Sequence, residues 1–237
     1  MKRGWIIGAL AAVSVLGIAA PFAYGAWNPF AAAYVQGVDV SRHQGPIDWN
    51  ALARSDARFA YIKATEGGDY VDPRFATNWS GAGRAGLYVG AYHFFTLCRS
   101  GAQQAANFIR TVPRVDGALP PAVDLEHMGP CQRGPTMSDI HGEVVIFLDT
   151  LEAHYGVRPI LYTTREFHDA HLADFPRERF WIRSLYAPPT FRRDDWVIWQ
   201  HHHSARRPGV SEPIDLNAFR GDENDLAEFA RTNEPTT

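Results

Sequence analysis

The sequence predicts an α/β protein in which eight short strands form one compact barrel. Eight apolar segments alternate with helical or loop segments, and this alternation favours a parallel sheet. All eight segments lie within about 185 residues, whereas a regular barrel of eight strands and eight helices takes ~250 residues. Helical patterns are clear only in the first two thirds of the chain.

Each strand is predicted where a short apolar run ends at a polar turn. The first run, 34–40, ends at the turn 41–45, and Pro120 leads into the fourth run. The predicted strands are 34–40, 59–64, 87–95, 121–127, 159–163, 180–185, 196–200 and 214–219.

Helices are predicted from capping residues and from apolar residues at helical spacing. Asp48 is the expected N-cap of a short helix, and Gly86 ends a helix that begins near Pro73. Residues 100–112 carry an apolar stripe, and a short helix with a polar tail ends the chain. A further long helix is predicted from its caps Thr136, Ser138 and Asp139 and from its core positions Ile140, Val144, Phe147, Leu148 and Leu151.

Residues 1–33 have the pattern of an export segment followed by a linker. Lys2 and Arg3 precede the apolar stretch 4–20, and apolar residues resume up to residue 24. This is typical of a cleaved signal peptide or of an inner-membrane anchor over residues 4–24, with a buried helix as the remaining alternative. Both export interpretations place the domain 34–237 in the periplasm or outside the cell.

Two cysteines, Cys98 and Cys131, are expected to form a disulfide if the domain is exported. Each lies a few residues beyond a predicted strand, so their loops can be neighbours. Two free thiols are the alternative.

The composition gives no indication of nucleic-acid binding, since the net charge is −3 and no basic run occurs. Adjacent residues such as His201–His203 rarely share one metal ion, and no Cys or Glu stands at ligand spacing. The sequence contains no phosphate-binding loop or nucleophile elbow. We predict a monomer that needs no metal and no cofactor.

Asp124 and Glu126 form the most informative pair in the sequence. They end the fourth predicted strand and, being two residues apart, point to the same face of it. Their Cα atoms are then roughly 6.5 Å apart, a distance suited to a pair of glycosidase carboxyl groups. Taken alone, the pair is a weak motif that a solvated strand end would also explain.

Further polar and aromatic residues lie in or near the ends of predicted strands, where barrels place their active sites. Four acids at one mouth repel each other, so the pKa of at least one is expected to rise, as a general acid requires. The residues are Asp39, Lys63, Glu66, Tyr92, Tyr162, Trp199, Gln200 and Asp215, together with the pair Asp124 and Glu126.

Seven motifs in register resemble glycoside hydrolase family 25, the Chalaropsis-type lysozymes or N-acetylmuramidases. The resemblance runs from about Gln36 to Arg220. It rests on GVDVS at 37–41 with Gln44-Gly45, YIKATEG at 61–67, GAYHF at 90–94, VDLE at 123–126, Tyr162-Thr163, Trp199-Gln200 and DLNAF at 215–219.

The resemblance implies an irregular TIM-like (β/α) barrel with eight strands and fewer than eight helices. It implies hydrolysis of the β-1,4 bond between N-acetylmuramic acid and N-acetylglucosamine in peptidoglycan. Glu126 matches the family's general acid/base, and Asp124 matches its partner carboxylate, while Asp39 and Asp215 match two further acids of the cleft. The predicted substrate-binding set is Tyr92, Tyr162 and Trp199, by the resemblance, with the strand-end residues Lys63, Glu66 and Gln200.

Two segments depart from the family pattern. Arg183-Ser184 stands where the family usually has a small residue and then a polar or aromatic one. A cation at this position would alter the charge of a subsite or pair with an acid of the cleft. His201-His202 stands where Tyr-Ser is common, and both departures concern substrate preference more than activity.

The spacing of Asp124 and Glu126 leaves the mechanism open, because it fits retaining and inverting enzymes alike. Asp124 acts either as a nucleophile or by steadying attack from the substrate's own N-acetyl group. Three other functions are a glycan-binding module on an inactive barrel, a chitinase-like enzyme and an envelope scaffolding protein. The presence of both carboxylates argues against the inactive barrel, and substrate choice separates the two glycosidases.

Overall fold

The structure is a computed structural model, and it describes residues 28–127, 140–185 and 187–231. The strands in these ranges form one sheet. They are β1 (Val35–Val40), β2 (Ala57–Glu66), β3 (Tyr70–Val71), β4 (Tyr88–Phe94), β5 (Ala122–Leu125), β6 (Ile160–Thr164), β7 (Phe180–Arg183), β8 (Trp196–Ala205) and β9 (Ile214–Phe219).

The sheet closes into a barrel because β1 pairs with both β2 and β9. From β2 the order continues through β4, β5, β6, β7, β8 and β9, so eight strands surround the interior. The short strand β3 was not predicted, and it pairs only with the end of β2. The eight-strand α/β barrel expected from the sequence is confirmed.

Six helices accompany the strands in the described ranges, which agrees with the prediction of fewer than eight. They are α1 (Trp49–Ala53), α2 (Phe75–Arg84), α3 (Gly101–Thr111), α4 (Ile140–Tyr155), α5 (Arg165–Phe167) and α6 (Glu223–Arg231). A π-helical turn, His168–Leu172, follows α5 directly. The predicted caps of α4 at 136–139 lie outside the described residues.

The prediction of a parallel barrel is wrong for the last strand, since β9 is antiparallel to both β1 and β8. The reason lies in the connection between β8 and β9. A parallel return needs a crossover of a dozen or more residues, usually through a helix. Residues 206–213 are too few and contain no helix, so the chain turns back along β8.

Large side chains of β2 fill the interior of the barrel, and glycines on the neighbouring strands leave space for them. Phe59 and Tyr61 are fully buried. A Cβ atom on Gly37 would lie 2.4 Å from the Phe59 ring, and one on Gly90 would lie 2.4 Å from the Tyr61 ring. These rings form the floor on which the functional residues rest.

A second hydrophobic core lies between the sheet and the helices, where α3 approaches α4 very closely at Gly101. The backbone N–H of Gly101 donates a hydrogen bond of 2.6 Å to Glu143 Oε2. A Cβ atom on Gly101 would lie only 2.0 Å from the backbone oxygen of Glu143. Only glycine fits this contact without moving one of the helices.

The predicted export segment and the predicted disulfide both involve residues outside the described ranges. No helix in the described ranges is long and apolar enough to cross a membrane, but residues 4–24 lie outside those ranges. Cys98 is disulfide-bonded. Because Cys131, the other cysteine of the sequence, is outside the described residues, the pairing stays a prediction.

We expect Gly101→Ala to reduce the free energy of unfolding by about 1–3 kcal/mol, because the added methyl group forces α3 away from α4. The melting temperature should fall by roughly 2–4 °C for each kcal/mol lost. The matched control is Gly83→Ala in α2, where an added Cβ has no atom within 4 Å. Equal melting temperatures for the two variants would contradict the proposed steric constraint.

Candidate active site

A cavity of about 370 Å³ opens at the mouth formed by the carboxyl ends of the parallel strands. It combines carboxyl groups, aromatic rings and one arginine. The lining residues are Asp39, Tyr92, Asp124, Glu126, Tyr162, Trp181, Arg183, Gln200, His203 and Asp215. Seven of them belong to the site that the sequence predicts.

Strand direction brings the four acids to the same mouth. Asp124 lies near the end of β5 and Glu126 just beyond it, on the same face. Asp39 in β1 is paired in register with Asp215 in β9. The expectation that all four acids lie at carboxyl ends of strands is wrong for Asp215, which lies near the start of β9. Since β9 runs in the opposite direction, its start is at the same mouth.

Asp39 is held by hydrogen bonds from two amide side chains at the base of the cavity. Its Oδ2 accepts from Gln200 Nε2 at 2.9 Å and from Asn217 Nδ2 at 2.8 Å. The amides are fixed in turn, because Tyr162 OH donates to Gln200 Oε1 and Trp181 Nε1 donates to Asn217 Oδ1. Each amide therefore has its oxygen occupied and its N–H group directed at Asp39.

Asp39 and Asp215 share one proton, which resides on Asp215. Burial raises the pKa of Asp215 to about 9, and the charge of Asp39 adds to the rise. Burial also raises the pKa of Asp39, but hydrogen bonds from Asn217, Gln200 and Asp215 oppose that rise. At neutral pH Asp215 is the protonated partner and donates to the Asp39 carboxylate.

Asp124 and Glu126 are the second coupled pair. Burial raises the pKa of Asp124 well above its ordinary value, and the charge of Glu126 raises it further. Burial also raises the pKa of Glu126, while Arg183 opposes that rise. Both pKa values are therefore shifted toward the protonated form, which is the direction that general acid catalysis requires.

One oxygen of this pair has an unmet hydrogen-bonding capacity. Asp124 is only 8% exposed, and its Oδ1 is buried with no hydrogen-bond partner in the described part of the chain. Buried carboxylate oxygens normally accept hydrogen bonds, so a bound molecule with an N–H or O–H group would be favoured at this oxygen.

Two tyrosines add neutral hydrogen-bonding groups to the cavity. Burial, reinforced by the surrounding carboxylates, raises the pKa of Tyr92 and that of Tyr162 well above the usual value of 10. Both phenols thus keep their protons at every physiological pH. Their rings pack edge-on against Trp181, with ring centroids 6.3 Å apart for Tyr92 and 5.0 Å for Tyr162.

The prediction that Trp199 borders the substrate is wrong. Trp199 is fully buried in the core between sheet and helices, and its Nε1 donates to the backbone oxygen of Ser184. Side chains alternate along β8, so Gln200 faces the cavity and Trp199 must face outward. The aromatic wall is Trp181 instead, two residues before Arg183 in β7, and this spacing was the signal that could have identified it.

Lys63 and Glu66 lie beside the cavity without lining it. They form a partly buried ion pair of 2.7 Å, and the Lys63 ammonium lies 4.7 Å from the centre of the Phe94 ring. Lys63 lowers the pKa values of both Asp124 and Glu126 through its charge. The structure therefore assigns Lys63 an electrostatic influence on the site, and direct contact with a ligand in the cavity is not supported.

The histidine run divides between two environments. His201 is buried on the outer side of β8, and burial lowers its pKa to about 4. His203 lines the cavity. Sequence reasoning missed His203 and Asn217 as site residues, although Asn217 follows Asp215 at the two-residue spacing of a strand. In the described ranges, no group of three or more candidate metal ligands is present.

Comparison with known proteins identifies the family. The profile described as "Glycosyl hydrolases family 25" matches residues 38–210, a stretch that includes Asp39, Asp124 and Glu126 but ends before Asp215. Lysozyme M1 from Streptomyces globisporus is 32% identical over 206 residues, which cover 79% of this chain and 68% of that protein.

Solved structures agree with this result. A family 25 glycosyl hydrolase from Bacillus anthracis is 38% identical with a TM-score of 0.77, and the match covers 84% of this chain and 94% of the other. A bacterial lysozyme from Streptomyces coelicolor is 30% identical with a TM-score of 0.76, covering 85% of this chain and 99% of the other. The barrel with its carboxyl-lined mouth is thus that of a glycoside hydrolase, and the chain belongs to glycosyl hydrolase family 25.

Proposed function

We propose that this enzyme is a lysozyme that hydrolyses peptidoglycan at the β-1,4 bond between N-acetylmuramic acid and N-acetylglucosamine. The observation that carries the proposal is the pair Asp124 and Glu126, two carboxyl groups that line one cavity at the barrel mouth and whose pKa values burial raises. Relatives and structural neighbours named as lysozymes and muramidases support the substrate class.

Glu126 acts as the general acid/base in this proposal. It is more accessible than Asp124, and burial raises its pKa, which favours the protonated form that can donate to the leaving glycosidic oxygen. In the second step the ionised Glu126 takes a proton from the attacking water.

Asp124 holds the N-acetyl group of the substrate in place. The carbonyl oxygen of that N-acetyl group then attacks the anomeric carbon. The buried Oδ1 without a partner supports this role, because it can accept a hydrogen bond from the acetamido N–H. Direct attack by Asp124 is the alternative.

The remaining residues bind and orient the sugar. Asp215 donates its proton to Asp39, and its other carboxyl oxygen can accept a hydrogen bond from a sugar hydroxyl group. Tyr92 and Tyr162 offer neutral phenols, and the Trp181 ring offers an apolar face to the pyranose.

The site of action follows from the substrate, which lies outside the cytoplasm. We propose an exported monomer in which residues 1–33 are a signal peptide or an inner-membrane anchor and 34–237 form the catalytic domain. Fractionation of cells expressing the full-length protein distinguishes soluble from membrane-bound enzyme. If all the protein were found in the cytoplasm, the export proposal would be wrong.

Digestion of purified peptidoglycan by the 34–237 fragment should release new reducing ends of N-acetylmuramic acid, read by mass spectrometry. Glu126→Gln should lower the rate at least ~100-fold, because general acid catalysis contributes 10²–10⁴-fold. New N-acetylglucosamine ends would overturn the bond assignment, and cleavage of chitin oligosaccharides at a comparable rate would favour a chitinase-like enzyme. No cleavage by folded wild-type protein would favour a binding or scaffolding function.

The role of Asp124 can be tested with muramyl substrates whose acetamido group carries one, two or three fluorine atoms. Under substrate assistance, kcat/KM should fall steeply with each fluorine, because fluorine withdraws electrons from the attacking carbonyl oxygen. A flat series would contradict this mechanism and favour direct attack by Asp124. Asp124→Asn should reduce kcat strongly and leave the melting temperature nearly unchanged.

We expect Asp215→Asn to stabilise the protein at alkaline pH. The folded pKa of Asp215, about 9, lies above the unfolded value near 3.8, so its favourable contribution is complete below pH ~4 and is lost as pH rises toward 9. The neutral amide keeps a donor for Asp39 and removes this loss. The variant's melting temperature should exceed that of the wild type at pH 8 but not at pH 4. An equal difference at both pH values would contradict the assigned pKa.

A further inference from the structure

Arg183 lines the acidic cavity and has no ion-pair or hydrogen-bond partner among the described residues. It follows Trp181 at the two-residue spacing of β7 and is paired in register with Gln200, so it faces the cavity. It is only partly exposed. In the ranges 28–127, 140–185 and 187–231 its guanidinium forms no ion pair and no hydrogen bond.

Two other partly buried arginines of this protein have several partners each. Arg158 contacts the carboxylates of Asp149, Glu152 and Glu178. Arg192 donates to the backbone oxygens of Leu172 and Phe175. A guanidinium has five N–H donors, and leaving them without acceptors in a partly desolvated cavity is unfavourable.

None of the four acids forms an ion pair with Arg183, although it is the only lysine or arginine among the described residues that line the cavity. Asp39 is already bound by two amides and Asp215. Of the two sequence-based alternatives, pairing with a cleft acid is therefore not observed, and a change of subsite charge remains.

Resting on the function proposed above, we infer that Arg183 binds a carboxylate of the substrate's muramic acid residue. Muramic acid differs from glucosamine by a lactyl ether that ends in a carboxyl group. That group is a free carboxylate in glycan without stem peptides and a neutral amide in glycan that carries them. A guanidinium binds a carboxylate through two parallel hydrogen bonds and a neutral amide oxygen more weakly.

This binding would give the enzyme a preference for peptide-free glycan strands. The reaction that supplies such strands is hydrolysis of the amide between the lactyl carboxyl group and the first amino acid of the stem peptide. Stem peptides carry carboxylates of their own, so the same guanidinium chemistry has a second source of ligand that the test must separate.

The test compares three soluble substrates: peptide-free muramyl oligosaccharides, the same oligosaccharides with the lactyl carboxyl converted to a methylamide, and oligosaccharides carrying stem peptides. Wild-type enzyme should have the highest kcat/KM on the peptide-free form. Arg183→Gln should lose roughly 10- to 100-fold more kcat/KM on that form than on the other two, and Arg183→Lys should lose less. Arg84→Gln, an exposed arginine at the end of α2, is the control for charge.

Because Arg183 also lowers the pKa of Glu126, its removal shifts the pH profile on every substrate equally. The ratio of rates between substrates is therefore the decisive measurement. A loss confined to peptide-bearing substrate assigns the carboxylate to the stem peptide. An equal loss on all three substrates, including the methylamide, overturns carboxylate binding.

A binding measurement separates this inference from the proposed function. Calorimetric titration measures the affinity of two variants for the peptide-free oligosaccharide and for its methylamide. One variant carries Glu126→Gln alone, and the other carries both Glu126→Gln and Arg183→Gln. One outcome is that the wild type cleaves no substrate, while the carboxylate form binds at least ~10-fold more tightly than the methylamide and does so only when Arg183 is present. In that case the activity proposal fails and the inference stands. Equal affinities for both ligands overturn the inference even in an active enzyme.

Discussion

The desolvation of four carboxyl groups inside one small cavity is the constraint on which the rest of this site depends. Charged carboxylates are costly to bury, so burial raises the pKa values of all four acids, and hydrogen-bond donors surround Asp39. Asp39 is charged because two amides and Asp215 donate to it. The pair at the end of β5 has fewer partners and therefore remains poised to give up a proton.

The buried packing beneath the cavity makes this arrangement rigid. Tyr61 donates to the backbone oxygen of Pro120 and packs against Trp181, with ring centroids 4.9 Å apart. Trp181 holds Asn217, and Asn217 holds Asp39. The hydrophobic floor and the electrostatics of the mouth are thus one connected structure, in which the glycines beside β2 provide the space for the large rings. The same burial raises the pKa values of the acids and fixes their positions.

Reversal of the last strand determines how the acidic cluster is completed. In a fully parallel barrel Asp215 would begin its strand at the opposite end from Asp39. Running antiparallel, β9 places it directly beside Asp39 in the register of β1. Asp215 can then donate its proton to Asp39 across the strand pair, while Glu126 and Arg183 line the cavity without a side-chain hydrogen bond to another described residue. Division of labour among similar side chains comes from these different environments, as is common in glycosidases.

The sequence by itself determined the barrel class, seven of the ten lining residues and the pair Asp124 and Glu126, because strand periodicity and motif spacing are local properties of the chain. The tertiary structure decided which face of β8 enters the cavity, excluding Trp199 and selecting Trp181. It also decided which carboxyl groups have raised pKa values, and it gave Arg183 no ion-pair or hydrogen-bond partner among the described residues. These outcomes depend on register, strand direction and burial, since only contacts between distant segments bring an amide to Asp39 or remove water from Asp124.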